Sequence, residues 1–310
     1  MDKVIIIGFN GQDGQLLSRY LKDDYIIGIT RDKIIDLRKN EIFKINSYSK
    51  EAVFELINKY KPDYLYYLAG YHHSSEEMQS DNVYLLEQSN FTHFLLYGYY
   101  LEAIRKFSNK TRVFYAASSL IFGYPEKPVQ DEKTPVNPQC VYGITKAAGF
   151  FLGRYYREQF GIFVSNGVLY NHESSLRRGG FLFPKIIKTA LAIKKGDAKE
   201  LLLGDLDAVT DWSSAKDVVL AFKKILQSDS PDDFIIASGE GHTVRELVEI
   251  VFSFLGMDYK KYVKEDKSLL KRKKPVLIGN PEKLMKKTGW KPSSDFKSMV
   301  INILKDFTNG

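Results

Sequence analysis

The sequence predicts an α/β chain whose parallel sheet is wound by helices on both faces. Three observations carry this. Short, fully apolar, β-branched runs recur through the first 170 residues, segments of helical period alternate with them, and a glycine-rich turn follows the first run at once. Fully apolar runs suit strands buried on both faces, and strand–helix alternation gives a doubly wound parallel sheet.

The elements follow in order. Val4–Ile7 is the first strand, and Leu16, Leu17, Tyr20 and Leu21 mark the helix behind it. Tyr25–Ile29 is the second strand, Ala52–Tyr60 a helix, and Asp63–Leu68 the third strand. Asn90–Phe107 reads as a long helix, Val113–Ala117 as a strand, 143–160 as a helix and Phe163–Leu169 as a strand. Beyond about residue 170 the alternation loosens. Phe183–Lys195 and Asp217–Leu226 look helical, and Thr243-Val-Arg-Glu246 is a capping box opening a helix that stops at Gly256. A charged stretch over 264–274 and a last helix over 297–307 complete the chain. The division expected is a dinucleotide-binding domain over 1–170 and a smaller, mostly helical C-terminal lobe over 171–310, interleaved and packed as one body.

Composition narrows the function. The 310 residues are 44% hydrophobic and 27% charged, which excludes a disordered or fibrous chain. A net charge of +7 is spread along the chain, so it suits an anionic ligand and argues for neither nucleic acid nor membrane. Cys140 is the single cysteine, so an internal disulfide and a cysteine-based zinc site are both excluded, and no metal is expected. MDKVIIIG enters its apolar run without a small-residue cleavage site, and no apolar stretch approaches membrane-spanning length, so a cytoplasmic protein is expected.

Gly8-Phe9-Asn10-Gly11-Gln12-Asp13-Gly14 fits G-x-x-G-x-x-G between a strand and a helix. The glycines there make a tight turn, let backbone approach a pyrophosphate and let helix and strand pack closely, and the helix N-terminus offers free N–H groups. This makes the first domain a Rossmann-type dinucleotide site formed by Gly8, Asn10, Gly11, Gln12, Asp13 and Gly14. The end of the third strand adds Leu68, Ala69 and Gly70. Cofactor choice turns on Thr30-Arg31-Asp32: Arg31 suits a 2′-phosphate and Asp32 a ribose. NADP is favoured over NAD.

Tyr142-Gly-Ile-Thr-Lys146 places a phenol and an ammonium on one helix face. The positive charge eases ionisation of the phenol, so Tyr142 can act as general acid or base. Ser118, at the carboxyl end of Val113–Ala117, can hydrogen-bond the carbinol oxygen that Tyr142 protonates.

Together these residues resemble an extended short-chain dehydrogenase/reductase of the nucleotide-sugar branch. Further segments resemble the GDP-mannose 4,6-dehydratases. These are GFNGQDGQLL (8–17), Asn171-His172-Glu173-Ser174 followed by Arg177-Arg178-Gly179 and Phe181, GDLDAVTDWSSAKDVV (204–219), ASGEGHTVRELVE (237–249) and LIGNPEKLMKKTGWKP (277–292). The resemblance covers nearly the whole chain. It implies that Ser118, Tyr142 and Lys146 carry hydride and proton transfer at a sugar C4. It also implies cofactor contacts at Arg31 and Asn46, and substrate contacts at His72, Ser118, Ser119, Asn171, Lys185, Gly204 and Arg272. The Arg177-Arg178 loop resembles one that reaches a neighbouring subunit's cofactor site, which implies a homodimer or homotetramer.

Four positions depart from that family's pattern. Leu120 stands where the dehydratases carry a glutamate that removes the C5 proton. Thr210 replaces an arginine, Arg272-Lys273-Lys274-Pro275 blurs an RPxEV segment, and Asn46 replaces an aspartate. A leucine moves no proton. The expected activity is therefore NAD(P)-dependent oxidoreduction at C4 of a GDP-linked hexose or heptose, as 4-keto reductase, 4-dehydrogenase or 4-epimerase. The alternative is a dehydratase that recruits His72, His73, Glu76 or Glu77 as its base. The competing class, a protein that only binds nucleotide, would show a broken triad, and the triad is intact.

Overall fold

The computed structural model describes residues 1–31, 33–37, 41–44, 49–72, 81–269 and 275–308, with the backbone alone at 41–44 and 81–87. The chain runs β1 (Lys3–Ile7), α1 (Gln12–Tyr20), β2 (Tyr25–Ile29), β3 (Lys33–Asp36), β4 (Glu41–Lys44), α2 (Lys50–Tyr60), β5 (Tyr64–Tyr67), α3 (Asp81–Phe107), β6 (Arg112–Ser118), β7 (Val129–Gln130), α4 (Val141–Phe160) and β8 (Val164–Leu169). It continues through β9 (Asn171–Glu173), α5 (Leu182–Lys195), β10 (Leu201–Leu203), β11 (Val209–Ser214), α6 (Ala215–Leu226), β12 (Asp233–Ile236), β13 (Gly241–Thr243), α7 (Val244–Phe254), β14 (Val263–Glu265), β15 (Ile278–Gly279), α8 (Glu282–Thr288) and α9 (Phe296–Thr308).

Eight strands form the main sheet in the order β12-β8-β6-β5-β1-β2-β3-β4. The run from β12 to β2 is parallel, and β3 and β4 add an antiparallel edge. Alternate side chains build two separate cores, as the pleat requires. Ile5, Ile7, Leu65, Tyr67, Val113 and Tyr115 face α2, α3 and α4. Val4, Ile6, Tyr66, Phe114 and Ala116 face α1 and α6. The sheet is thus doubly wound, as the sequence predicts, and its order reverses at β1, which opens a ligand crevice at the carboxyl ends of β1, β5 and β6.

Three features differ from the sequence reading. β12 and α6, from beyond residue 170, return to the sheet layer, where Phe222, Phe234 and Ile236 are fully buried. The Phe-Ile-Ile run that forms β12 is too short to stand out beside helical neighbours. The lobe also carries short strands that the sequence does not announce, among them the three-stranded β13-β11-β9 sheet. The long helix begins at Asp81, nine residues earlier than expected. The capping box at Thr243 and Glu246 forms both of its hydrogen bonds, and Gly256 follows the helix at φ +73°. A third core joins α5, α7 and α9 around Trp212, which stacks on Phe296.

Two buried carboxylates knit these layers. Asp233 binds Arg154, Arg157 and Asn166, tying α4 to β12 and β8. Asp211 accepts hydrogen bonds from the Ser238 and Gly239 amides, the Ser238 hydroxyl and the Gly279 amide. No described helix is long and apolar enough to cross a membrane.

Candidate active site

The glycine turn is built from backbone. Gly8 adopts φ +89°, and a Cβ there would meet the Ala69 amide nitrogen at 2.9 Å. A Cβ at Gly14 would meet the carbonyl oxygens of Phe9 and Gly8 at 2.5 and 2.6 Å. Gly11 opens α1 without a side-chain cap, which leaves the first-turn N–H groups to a ligand. A cradle closed to every side chain at Gly8 and Gly14, at a helix N-terminus, fits a dinucleotide's pyrophosphate. Asn10, Gln12 and Asp13 complete that turn.

α4 carries Tyr142 and Lys146, and its glycines let it lie directly on the sheet. A Cβ at Gly149 would meet the Tyr115 hydroxyl at 2.1 Å, and one at Gly153 the Asn166 Oδ1 at 2.7 Å. The helix therefore sits close enough for the Lys146 ammonium to donate to the Ala116 oxygen at 2.8 Å and the Ala69 oxygen at 3.2 Å. A Cβ at Gly70 would stand 3.0 Å from that same ammonium, a tight contact with the end of the lysine side chain. Cys140 caps the helix, its Sγ accepting from the Gly143 amide. Cys140 is half-buried.

Ser118 lies close enough to Tyr142 to ease its ionisation, and the Lys146 ammonium lies 5.7 Å from the Tyr142 ring, so the structure brings the three predicted residues together. Burial pushes the Tyr142 phenol up to about 12, against the Ser118 hydrogen bond and the nearby Arg177 charge. Burial also pulls Lys146 down to about 8, opposed by the Asp13 carboxylate. Leu120 and Ser119 follow Ser118 in a short 3-10 turn, with the Leu120 amide donating to the Ser118 hydroxyl.

The His72 ring lies 4.6 Å from that of Tyr142 and 5.6 Å from that of Phe181. Arg178 donates to the His72 oxygen, and both Arg177 and Arg178 lie over the Phe181 ring of their own chain. Asn171 opens β9, beside Trp212 of β11. Lys185 lies in the first turn of α5, and Gly204 directly follows β10. Arg31 is exposed at the end of β2. Thr210 is buried in β11 opposite His242. Asn46, Arg272, Asp32, His73, Glu76 and Glu77 lie outside the described residues.

The sequence reading missed three contributors. Asn90 is buried and clamps Tyr71, accepting from its amide and donating to its oxygen, which shapes the loop after β5. Its only signal was a polar residue opening an apolar helix. His93, one turn on, is held down to about 4 by burial and by the Lys146 and Arg31 charges, and so stays neutral. The third is the link from the glycine turn to β9, through Gln12, Asp13, His172 and Ser174.

A parallel sheet with a glycine cradle at its switch point, Ser118 at the end of β6 and Tyr142 and Lys146 on α4 defines an NAD(P)-dependent oxidoreductase of the extended short-chain dehydrogenase/reductase class. Comparison with known proteins makes this specific. The profile of the GDP-mannose 4,6 dehydratase family matches residues 5–303, and the chain belongs to that family of nucleotide-sugar enzymes. GDP-mannose 4,6 dehydratase 2 of Arabidopsis thaliana is 33% identical over 96% of this chain and 84% of its own length. GDP-mannose 4,6-dehydratase of Yersinia enterocolitica is 30% identical over 98% and 93%. Among solved structures, RMD from Pseudomonas aeruginosa complexed with NADPH superposes with a TM-score of 0.82 at 20% identity, covering 100% of this chain and 99% of that one. A Thermus thermophilus UDP-glucose 4-epimerase complex with NAD gives 0.79 at 22% identity and 99% coverage of both chains.

Proposed function

We propose that this chain is an NADP-preferring oxidoreductase acting at C4 of a GDP-linked hexose or heptose, as a 4-keto reductase, 4-dehydrogenase or 4-epimerase. The observation that carries the reading is Leu120, which stands two residues after Ser118 in the turn beside Tyr142 and offers no base for a C5 proton. C4 chemistry requires only the groups that are present. Ser118 holds the C4 oxygen. Tyr142, protonated at rest, gives that oxygen a proton in reduction; in oxidation it must first lose its own proton, and the phenolate then takes the one from the C4 hydroxyl. Lys146 lowers the cost of the phenolate formed. The glycine turn would hold the dinucleotide's pyrophosphate and the Tyr142–Lys146 face of α4 its nicotinamide, which when bound would supply or take up the hydride at C4. Arg31 supports NADP over NAD.

A second reading, a GDP-mannose 4,6-dehydratase with a relocated base, is favoured by the names of the relatives and by the His72 ring beside Tyr142. Assembly as a homo-oligomer is supported by the neighbouring helices α3 and α4. Their outer faces expose Phe91, Leu95, Ile144, Phe151 and Tyr155, which a second copy of the chain would cover.

The test is mass spectrometry of the purified protein with GDP-mannose, GDP-manno-heptose and their 4-keto-6-deoxy derivatives, with NAD(P)H absorbance followed in parallel. Loss of two hydrogens from a sugar with NAD(P)H formed, or their gain by a keto sugar with NAD(P)H consumed, supports C4 oxidoreduction. Loss of one water without net cofactor change establishes the dehydratase and removes the argument from Leu120.

A further inference from the structure

Asp13 stands in the first turn of α1, whose N-terminus would face the diphosphate of a bound dinucleotide. A carboxylate there repels that ligand unless its charge is cancelled. The His172 ring meets it: Nε2 lies 3.1 Å from each Asp13 carboxylate oxygen, and Nδ1 lies 2.7 Å from the Tyr170 carbonyl oxygen. Both partners only accept hydrogen bonds, so both ring nitrogens carry hydrogen and the ring is an imidazolium. Burial opposes that charge and Arg177 opposes it too, yet the Asp13 carboxylate outweighs them and raises His172. Burial alone would raise Asp13, and His172 reverses this. The same contact is doubled by side chains on either side: Gln12 donates to the His172 oxygen at 3.1 Å and accepts from the Ser174 hydroxyl at 2.7 Å.

We propose that His172 is a positioning residue that cancels the Asp13 charge, so that the first turn of α1 accepts the cofactor diphosphate and is clasped to the Asn171–Ser174 segment of the substrate side. This rests on the dinucleotide reading of the glycine turn and not on which C4 reaction follows.

The test is the dissociation constant for NADPH, and for NAD, by calorimetry on the cofactor-free chain, with the melting temperature as a second readout. His172→Gln leaves Asp13 with only the Arg177 charge and the Gln12 hydrogen bond to offset it, and weakens NADPH by about tenfold. Asp13→Asn alone tightens it roughly threefold, since the neutral ring then accepts from the new amide. The double variant Asp13→Asn/His172→Gln returns to within about threefold of wild type. A double variant as weak as His172→Gln overturns the proposal, because His172 then acts by direct contact or by holding the fold. Tenfold weakening by Asp13→Asn overturns it as well, and that variant serves if His172→Gln does not fold. A wild-type chain that binds neither dinucleotide overturns the cofactor reading and this inference with it. Binding without turnover of any sugar leaves this inference standing and counts against the C4 reading.

Discussion

The Lys146 ammonium lies 5.7 Å from the centre of the Tyr142 ring, and its hydrogen bonds go to the Ala116 and Ala69 carbonyl oxygens at the ends of β6 and β5. The lysine therefore acts on the phenol through its field, from a position that the sheet itself sets. The Tyr115 ring, 5.3 Å away on the other side, helps hold the charge there.

Replacement of Tyr142 by Phe is expected to lower kcat by roughly 10²–10⁴-fold while the cofactor still binds. In the reducing direction the phenol stays protonated until about pH 12, so the rate responds first to Lys146 and falls as pH rises through about 8. Stability follows the opposite sign. Lys146 falls from its ordinary 10.5 to about 8 on folding, so between those values the unfolded chain binds more protons and this group's contribution rises with pH. Lys146→Met should accordingly lose stability relative to wild type between pH 8 and pH 10, read from melting temperatures of the two proteins across that range.

Leu120→Glu restores a carboxylate beside the Ser118–Tyr142 pair. Incubated with a GDP-4-keto sugar in deuterium oxide, this variant is expected to incorporate deuterium at C5 faster than wild type by about 10²-fold, the lower bound for a placed general base. Equal incorporation would show that another residue already serves as the base.

Gly14→Ala forces a methyl group against two carbonyl oxygens of the glycine turn. Backbone cannot move aside as a flexible side chain does, so a loss of about 1–3 kcal/mol in stability is expected, with dinucleotide binding abolished. Calorimetry of the cofactor-free protein, followed by titration with NADPH, reads both effects.

Asp211→Asn sets an amide against four donors, two on each carboxylate oxygen. Whichever way the amide turns, two donors lose their acceptor, at a cost of about 1–3 kcal/mol for each buried group left unpaired. Urea unfolding should show the loss with little change in the cofactor-binding constant, since Asp211 joins β11 to β15 and does not touch the triad.

Much of the site was legible in the chain because its spacing is local. Gly8, Gly11 and Gly14 announce a turn that only small residues can make, and Tyr142 and Lys146 share a helix face by arithmetic. Ser118 was legible because the carboxyl end of a buried strand opens onto the crevice. What escaped the sequence was assembled from distant segments. Asn90 reaches back to Tyr71, and His172 reaches Asp13 across 159 residues.

The sequence by itself determined the doubly wound sheet, the glycine turn and the shared helix face of Tyr142 and Lys146, since each depends on a short-range period or on residues within one turn of helix. Only the tertiary structure decided that β12 and α6 complete the first sheet layer, that Asp211 and Asp233 are buried knots, and that Asp13 meets the His172 ring. Those facts depend on which surfaces exclude water together. Burial and charge pairing between remote segments are properties of the packed chain, and no local pattern encodes them.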